Sequence, residues 1–223
     1  MEKKGNNSTE KIINFIQKNR KGIFIFGGLL LTLVVGLFAF LFVSDYLNKK
    51  AITESEILAV RFDELRWNLE DENYSDEVNS LFADLEKFAK SNRGLASSRV
   101  YSFIARIHSG RGEWALCEEA WLKAAQTGNK TYMAPIALFN VAAAAEEQGK
   151  IEEAIEYLQK SINHPFEFPA APRAQFNIGR LYQQLGNKQA AIEAYRSVII
   201  DWQNLPVWQH LARSAIIALE IEE

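Results

Sequence analysis

The sequence predicts an all-α protein, with a single N-terminal transmembrane helix, an α-solenoid of about four helix pairs and a C-terminal capping helix. Three observations carry this prediction. A long uncharged run lies near the N-terminus, turn glycines recur every 37 residues, and small residues recur in step with those glycines. Repetition at a fixed period in this range is typical of solenoids, in which each repeat is one helical hairpin.

The uncharged run Gly22–Ser44 is the predicted transmembrane helix. Its 23 residues would span about 34 Å, enough to cross the hydrocarbon core of a bilayer. Six Lys or Arg and two Glu occur in residues 1–21, whereas only Lys49 and Lys50 follow the run closely. This bias predicts a single-pass plasma (inner) membrane protein with a cytoplasmic N-terminus and a periplasmic or extracytoplasmic repeat domain. The rival interpretation, a cleaved signal peptide, would need a shorter apolar core and a small-x-small cleavage site.

The segments on either side of this run are polar. Residues 1–21 form a basic cytoplasmic arm, in which Ile12, Ile13, Phe15 and Ile16 suit either a short helix at the headgroups or a disordered tail. Residues 45–52 are predicted to be a linker, and residues 53–223 the repeat domain.

One face of the predicted membrane helix is smooth. Gly28, Thr32 and Gly36 fall four residues apart, and small residues at this spacing let another helix approach closely. We expect these three residues to contact a helix of a membrane complex, although glycine is also common in membrane helices generally.

The repeats are defined by turn glycines and by small residues. Gly112, Gly149 and Gly186 are predicted to lie in hairpin turns. Small residues occur in pairs twelve apart, each followed four places later by a large residue. These sets are Ala105, Cys117 and Trp121; Ala142, Ala154 and Leu158; and Gly179, Ala191 and Tyr195. The three well-defined helix pairs are predicted at 97–109 with 113–126, 132–148 with 151–163, and 171–185 with 188–202. A degenerate first pair is predicted at 53–69 with 77–91, and the capping helix at 205–221.

The third unit resembles the tetratricopeptide repeat, through Gly179, Tyr182, Gly186, Ala191 and Tyr195. The first two units depart from the consensus, since His108 and Ala145 replace its helix-A aromatic residue. The period also exceeds the 34 residues usual in that family. The resemblance implies a concave groove, lined by the first helix of each unit, that binds a protein ligand.

Ten residues are predicted to face this groove. They are Arg99, Ser102, Arg106, Phe139, Arg173, Phe176, Arg180, Gln209 and Arg213, with Ala143 among them. Because arginine forks bind carboxylates and aromatic rings anchor apolar side chains, we expect an acidic or extended polypeptide segment. The alternative is that these arginines pair with glutamates of neighbouring helices.

The sequence contains no motif for catalysis. It has no phosphate-binding glycine loop, no metal-ligand spacing and no nucleophile elbow, so we expect no enzyme activity, no cofactor, no metal site and no small-molecule substrate. The single cysteine, Cys117, occupies a small buried position. Residues 1–21 carry +4 and the remainder −7 of the net charge of −3, which favours a membrane over nucleic acid as partner.

In the order and size of its segments, which are a basic arm, a membrane helix and a repeat domain, the chain is similar to the ancillary subunit family of the bacterial Sec translocon. The similarity is clearest over Phe88–Ala125. This resemblance implies a binding role that links protein export to periplasmic chaperones, with a membrane complex contacting the anchor and a polypeptide or chaperone contacting the groove. The alternative is a membrane-tethered scaffold for another envelope assembly, such as a secretion, division or cell-wall complex. The residues alone do not distinguish these roles.

Overall fold

A computed structural model describes residues 6–69 and 71–221, and over those residues the chain is helical without a strand. Its α-helices are α1 Asn6–Leu65, α2 Ser75–Ser91, α3 Gly94–Gly110, α4 Trp114–Thr127, α5 Met133–Glu147, α6 Ile151–Ile162, α7 Ala171–Gln184, α8 Lys188–Asp201 and α9 Pro206–Ile221, and a 3-10 turn covers Glu72–Tyr74. The predicted all-α class is therefore confirmed. The first residues of the predicted basic arm, 1–5, lie outside the described residues.

Helix α1 runs for 60 residues without a break. Residues 45–52, predicted to be a polar linker, therefore continue this helix. Polar composition alone does not end a helix, and neither Gly nor Pro occurs between Gly36 and Gly94. Asp45 and Lys49 also form an ion pair of 2.7 Å at the i,i+4 spacing that supports helices.

The chain divides into two compact units, Met1–Lys50 and Ala51–Glu223. In the first unit the described side chains from Glu10 onward are almost all exposed, including Phe24 and Phe42 at 78% and 76%. By length and composition this part of α1 is a candidate membrane span. Thr32 donates its hydroxyl hydrogen to the carbonyl oxygen of Gly28, 2.9 Å away. The predicted contact of a partner helix with the Gly28, Thr32 and Gly36 face stays a prediction.

The second unit has two layers of helices. Layer A consists of residues 51–65 of α1 with α3, α5, α7 and α9, and layer B consists of α2, α4, α6 and α8. Each layer-B helix from α2 to α8 packs on the layer-A helix that follows it, and α3, α5 and α7 pack on their own partners. Phe62 of α1 shares a core with Leu81 and Leu85 of α2, which completes the first pair. The predicted four helix pairs and capping helix are confirmed.

The turns between paired helices need glycine for its backbone freedom. Gly112, Gly149 and Gly186 have φ values of 69°, 73° and 71°, in the left-handed region where a Cβ atom is strained. At all three positions an added Cβ would meet no atom within 4 Å. Torsion, and not lack of space, therefore explains the 37-residue recurrence of glycine.

The small pairs lie where the two helices of a unit touch. All six of their members are buried, and Ala105, Ala154 and Ala191 are fully so. Gly179 makes the tightest contact, because a Cβ added there would lie 2.5 Å from Cε1 of Tyr195. The Tyr195 ring is 1% exposed, and its hydroxyl donates a hydrogen bond to Oε1 of Gln183 at 2.5 Å. The ring has little freedom to move away.

Replacing Gly179 with alanine should therefore destabilise the repeat body. We expect a loss of about 1–3 kcal/mol from overpacking, measured as a lower midpoint of thermal unfolding of the full chain in detergent. The second unit supplies a matched rescue, since its equivalent positions hold Ala142 and Leu158. The double change Gly179→Ala with Tyr195→Leu should recover part of the loss. An unchanged midpoint in Gly179→Ala would contradict the packing argument.

Candidate functional site

The predicted groove residues all lie on layer A. Arg99, Ser102 and Arg106 are on α3, Phe139 is on α5, Arg173, Phe176 and Arg180 are on α7, and Gln209 and Arg213 are on α9. Their surroundings differ. Some are arginines paired with glutamates, some are arginines stacked on aromatic rings, and most of the others are packed or hydrogen-bonded inside the repeat body.

Two of the arginines are paired across layer A. Arg180 of α7 donates from both terminal nitrogens to the carboxylate of Glu146 on α5, each at 2.6 Å. Arg99 of α3 makes the corresponding two-pronged contact with Glu56 of α1. The hydrogen bond to Arg180 lowers the pKa of Glu146 and raises the pKa of Arg180. For Arg99 and Arg180 the structure therefore has the alternative arrangement, in which the arginine pairs with a glutamate of a neighbouring helix.

Two other arginines lie over phenylalanine rings. Arg106 is 4.8 Å from the ring centre of Phe62, and Arg173 is 5.4 Å from that of Phe139. Both side chains are exposed, and neither forms an ion pair with any residue that the structure describes. Burial of its stem, together with the nearby charge of Arg66, lowers the pKa of Arg106, which still stays charged at neutral pH.

The remaining predicted residues are less available. Ser102 is 7% exposed, and its hydroxyl donates to the carbonyl oxygen of Arg99 at 2.6 Å, so it does not face a groove. Phe176 packs between Tyr195 and Trp208, with ring centres 5.0 and 6.0 Å away. Gln209 donates to the carbonyl oxygen of Gln203 at 2.5 Å, whereas Arg213 is exposed.

Two open clefts lie on layer A beside the stacked arginines. The larger, the α5–α7 cleft, has a volume of about 320 Å³ and includes Phe139, Ala143, Glu146, Arg173, Asn177 and Arg180 in its lining. The smaller, the α1–α3 cleft, has about 260 Å³ and includes Phe62, Arg66, Trp67 and Arg106. Each cleft thus contains a phenylalanine ring with an arginine above it.

Sequence reasoning missed several residues of these clefts, Phe62 and Arg66 among them. Glu146 and Asn177 line the α5–α7 cleft, and Trp67 lines the α1–α3 cleft. Trp67 is 81% exposed, with the guanidinium of Arg66 4.7 Å from its ring centre. A tryptophan just past the end of an apolar helical stripe was the available signal, because so large a ring is rarely left exposed without a partner.

Two titratable side chains outside the clefts, those of His108 and Cys117, are packed within the fold. His108 packs edge-on against Phe82, with ring centres 5.2 Å apart, and its Nδ1 lies 2.5 Å from the Glu113 carboxylate. Burial raises the pKa of the Cys117 thiol to about 11, which makes it a poor nucleophile. Throughout residues 6–69 and 71–221, no three His, Cys, Asp or Glu side chains are grouped as metal ligands would be.

The fold and the paired small residues define a tetratricopeptide-type α-solenoid. Residues 104–168 and 172–199 match family models of the tetratricopeptide repeat. A curated relative, the "TPR repeat-containing protein" of Treponema pallidum (strain Nichols), is 35% identical over 147 residues, or 64% of this chain. The match spans 60% of that relative's length. Repeats of this kind are protein-interaction scaffolds and are typically not enzymes.

Solved structures share the fold. BtubC (BKLC) from P. vanneervenii is 16% identical, with a TM-score of 0.54 over 70% of this chain and 71% of that one. The nearly identical TPR-like repeats of a putative kinesin light chain from Podosopora anserina are 17% identical, with a TM-score of 0.51 over 67% and 77%. At these identities the likeness concerns the fold alone.

The Glu146–Arg180 pair should make stability depend on acidity. Because folding lowers the pKa of Glu146, its contribution is complete above its unfolded value of 4.5 and is lost as the pH falls through the lowered folded pKa. Both side chains are partly exposed, so we expect only about 1 kcal/mol at pH near 7.

Thermal unfolding of Glu146→Gln and wild type at neutral pH and near pH 3 would measure this contribution. The variant should be less stable at neutral pH, and the difference should vanish in acid. Glu147→Gln is the control, since the Glu147 carboxyl is next to Glu146 in the sequence and is exposed. A difference that persists in acid would contradict the ionic origin.

Proposed function

We propose that this chain is a membrane-tethered interaction module that binds an acidic, extended polypeptide segment along layer A. The observation that carries the proposal is that Arg106 and Arg173 are exposed and stacked on rings beside open clefts, and neither forms a salt bridge with a carboxylate of the described residues, although the charge of Asp63 acts on Arg106 from further away. A stacked guanidinium is held in place by its ring, yet its N–H groups stay available to a carboxylate.

The two clefts suit a segment that contacts several repeats. Arg106 belongs to α3 and Arg173 to α7, with α5 between them. An extended ligand with acidic residues at both sites would contact three layer-A helices. The cleft volumes would accept an apolar side chain next to each carboxylate, with Phe62 and Phe139 as the apolar contacts.

The proposed anchor is Gly22–Ser44. Support comes from its uncharged length, from its exposed apolar side chains and from the basic residues before it. In this proposal the protein is a single-pass protein of the plasma (inner) membrane. The N-terminus is cytoplasmic and the repeat domain lies in the periplasm or its extracytoplasmic equivalent.

The specific role we favour is that of an ancillary translocon subunit that links protein export to periplasmic chaperones. This role rests on the order and size of the segments. Tethering would raise the local concentration of layer A near emerging chains, so modest affinity for each segment would suffice. The second candidate is a membrane-tethered scaffold of another envelope assembly, which the same anchor and binding surface would serve.

Binding to layer A can be tested with a labelled acidic peptide that contains one aromatic residue. Arg173→Glu and Arg106→Glu should each weaken its binding to the full chain in detergent, measured by fluorescence polarisation. Losing a charge-assisted hydrogen bond costs about 1.5–3 kcal/mol, which is roughly a 10- to 100-fold rise in Kd.

Arg196→Glu is the matched control, because Arg196 is an exposed arginine of layer B. A second control is the same peptide with lysine in place of each acidic residue. Binding that tolerates both layer-A variants, or that does not distinguish the two peptides, would refute the proposed site.

The role of the anchor can be tested by affinity purification from membranes in mild detergent. We expect translocon subunits to co-purify with wild type and to be lost with Gly28→Ile combined with Gly36→Ile, because the added bulk blocks close helix contact. Leu30→Ile with Leu37→Ile, on the opposite face, is the control. Recovery of another envelope complex would support the scaffold role, and equal recovery from both variants would refute the proposed face.

A further inference from the structure

Helix α9 occupies the place of the first helix of a further unit, after the four helix pairs. Ala212 lies 33 residues after Gly179 and is fully buried, as Gly179 is. Leu219 is 6% exposed, and the ring of Trp208 packs 6.0 Å from that of Phe176 on α7. Like α5, α9 therefore packs on the layer-A and layer-B helices that precede it.

The opposite face of α9 is exposed where the earlier first helices are covered. Three positions of each first helix are at most 5% exposed, namely Val100, Ile104 and Ile107; Ala137, Val141 and Ala144; and Ala174, Ile178 and Leu181. The equivalent residues of α9 are Val207 at 68%, Leu211 at 44% and the exposed Ser214. Helix α9 packs on the helices before it, as α5 does. In the earlier units, these three positions of the first helix are therefore covered by the helices that come later in the chain.

The exposed face continues to the end of α9. Ile217 and Ile221 are 55% and 76% exposed, and Ala218 between them is exposed too. We call Val207, Leu211, Ser214, Ile217, Ala218 and Ile221 the α9 outer face. A terminal cap normally presents a polar face to water, whereas this face carries no charged side chain.

We propose that the α9 outer face is covered by the same face of a second copy of this chain, in an antiparallel pair of α9 helices. Apart from Ile217, its residues are spaced alternately four and three apart, as in helices that pack along a seam. Ser214 lies midway between Val207 and Ile221. A two-fold axis at Ser214 therefore sets Val207 against the partner's Ile221, Leu211 against the partner's Ile217, and Ser214 against the same residue of the partner.

The size of the face fits a modest dimer. Its six side chains expose roughly 500 Å² per copy, so pairing would bury about 1,000 Å² in all, at the lower limit of specific interfaces. Small residues at the centre allow the backbones to approach closely, as Gly179 does within the third unit. Two-fold pairing also uses the whole face on both copies, which an unrelated surface would match only by chance.

Disulfide trapping in the full chain tests this pairing. The chain has one cysteine, the buried Cys117, so Ser214→Cys adds the only accessible thiol in the part of the chain that the structure describes. In mild detergent and oxidant, Ser214→Cys should form cross-linked dimers at least about tenfold faster than Gln189→Cys, an exposed position on α8, because pairing raises the effective thiol concentration.

A second change separates pairing at α9 from association through α1. Leu211→Asp, added to Ser214→Cys, should reduce cross-linking to the control rate, while Leu116→Asp should not. Leu116 is 47% exposed and lies on α4, so it matches Leu211 in type and exposure. Cross-linking of Ser214→Cys no faster than the control, or unaffected by Leu211→Asp, would overturn the proposal and leave the face to another protein or chain segment.

Discussion

The close contact between the two helices of each pair is the constraint on which the rest of the repeat body depends. Small buried residues such as Ala142 and Ala154 let the helices of a unit meet, and the large residue four places later fills the space beside them. Because this contact recurs every 37 residues, equivalent positions of successive layer-A helices lie on the same face of the layer. Surface chemistry can then be distributed along one row of helices.

Charge along that row serves two purposes. Glu56–Arg99 and Glu146–Arg180 connect neighbouring layer-A helices, and the arginines over Phe62 and Phe139 lie near these pairs. An acidic ligand would meet a surface whose arginines are only partly neutralised. Glu118 plays a comparable part at the turn of the second unit, where its buried carboxylate accepts hydrogen bonds from Gln148 and Lys150. Neighbouring units are thus joined by polar contacts as well as by their shared core.

Local signals explain what could be predicted from the sequence. The turn at Gly186 and the pairing of Gly179 with Tyr195 depend on residues within one helical pair, so their spacing revealed them. The bond between Glu146 and Arg180 joins side chains 34 residues apart, and which carboxylate meets which arginine depends on the packing of two units. Burial of Ser102 was missed for the same reason. The polar composition of residues 45–52 did not reveal that the helix continues there, since no helix-breaking residue interrupts it.

Glycine is required in this chain for two separate reasons, and they set different limits on how the sequence can drift. At Gly149 there is room for a side chain but the torsion is left-handed, so asparagine, which tolerates that torsion, is an accessible replacement. At Gly179 there is no room beside the Tyr195 ring, so a larger residue there requires that ring to shift or to be replaced. The turn can therefore vary without any change at its neighbours, whereas a change in the helix contact involves the large residue beside it, as Ala142 with Leu158 illustrates.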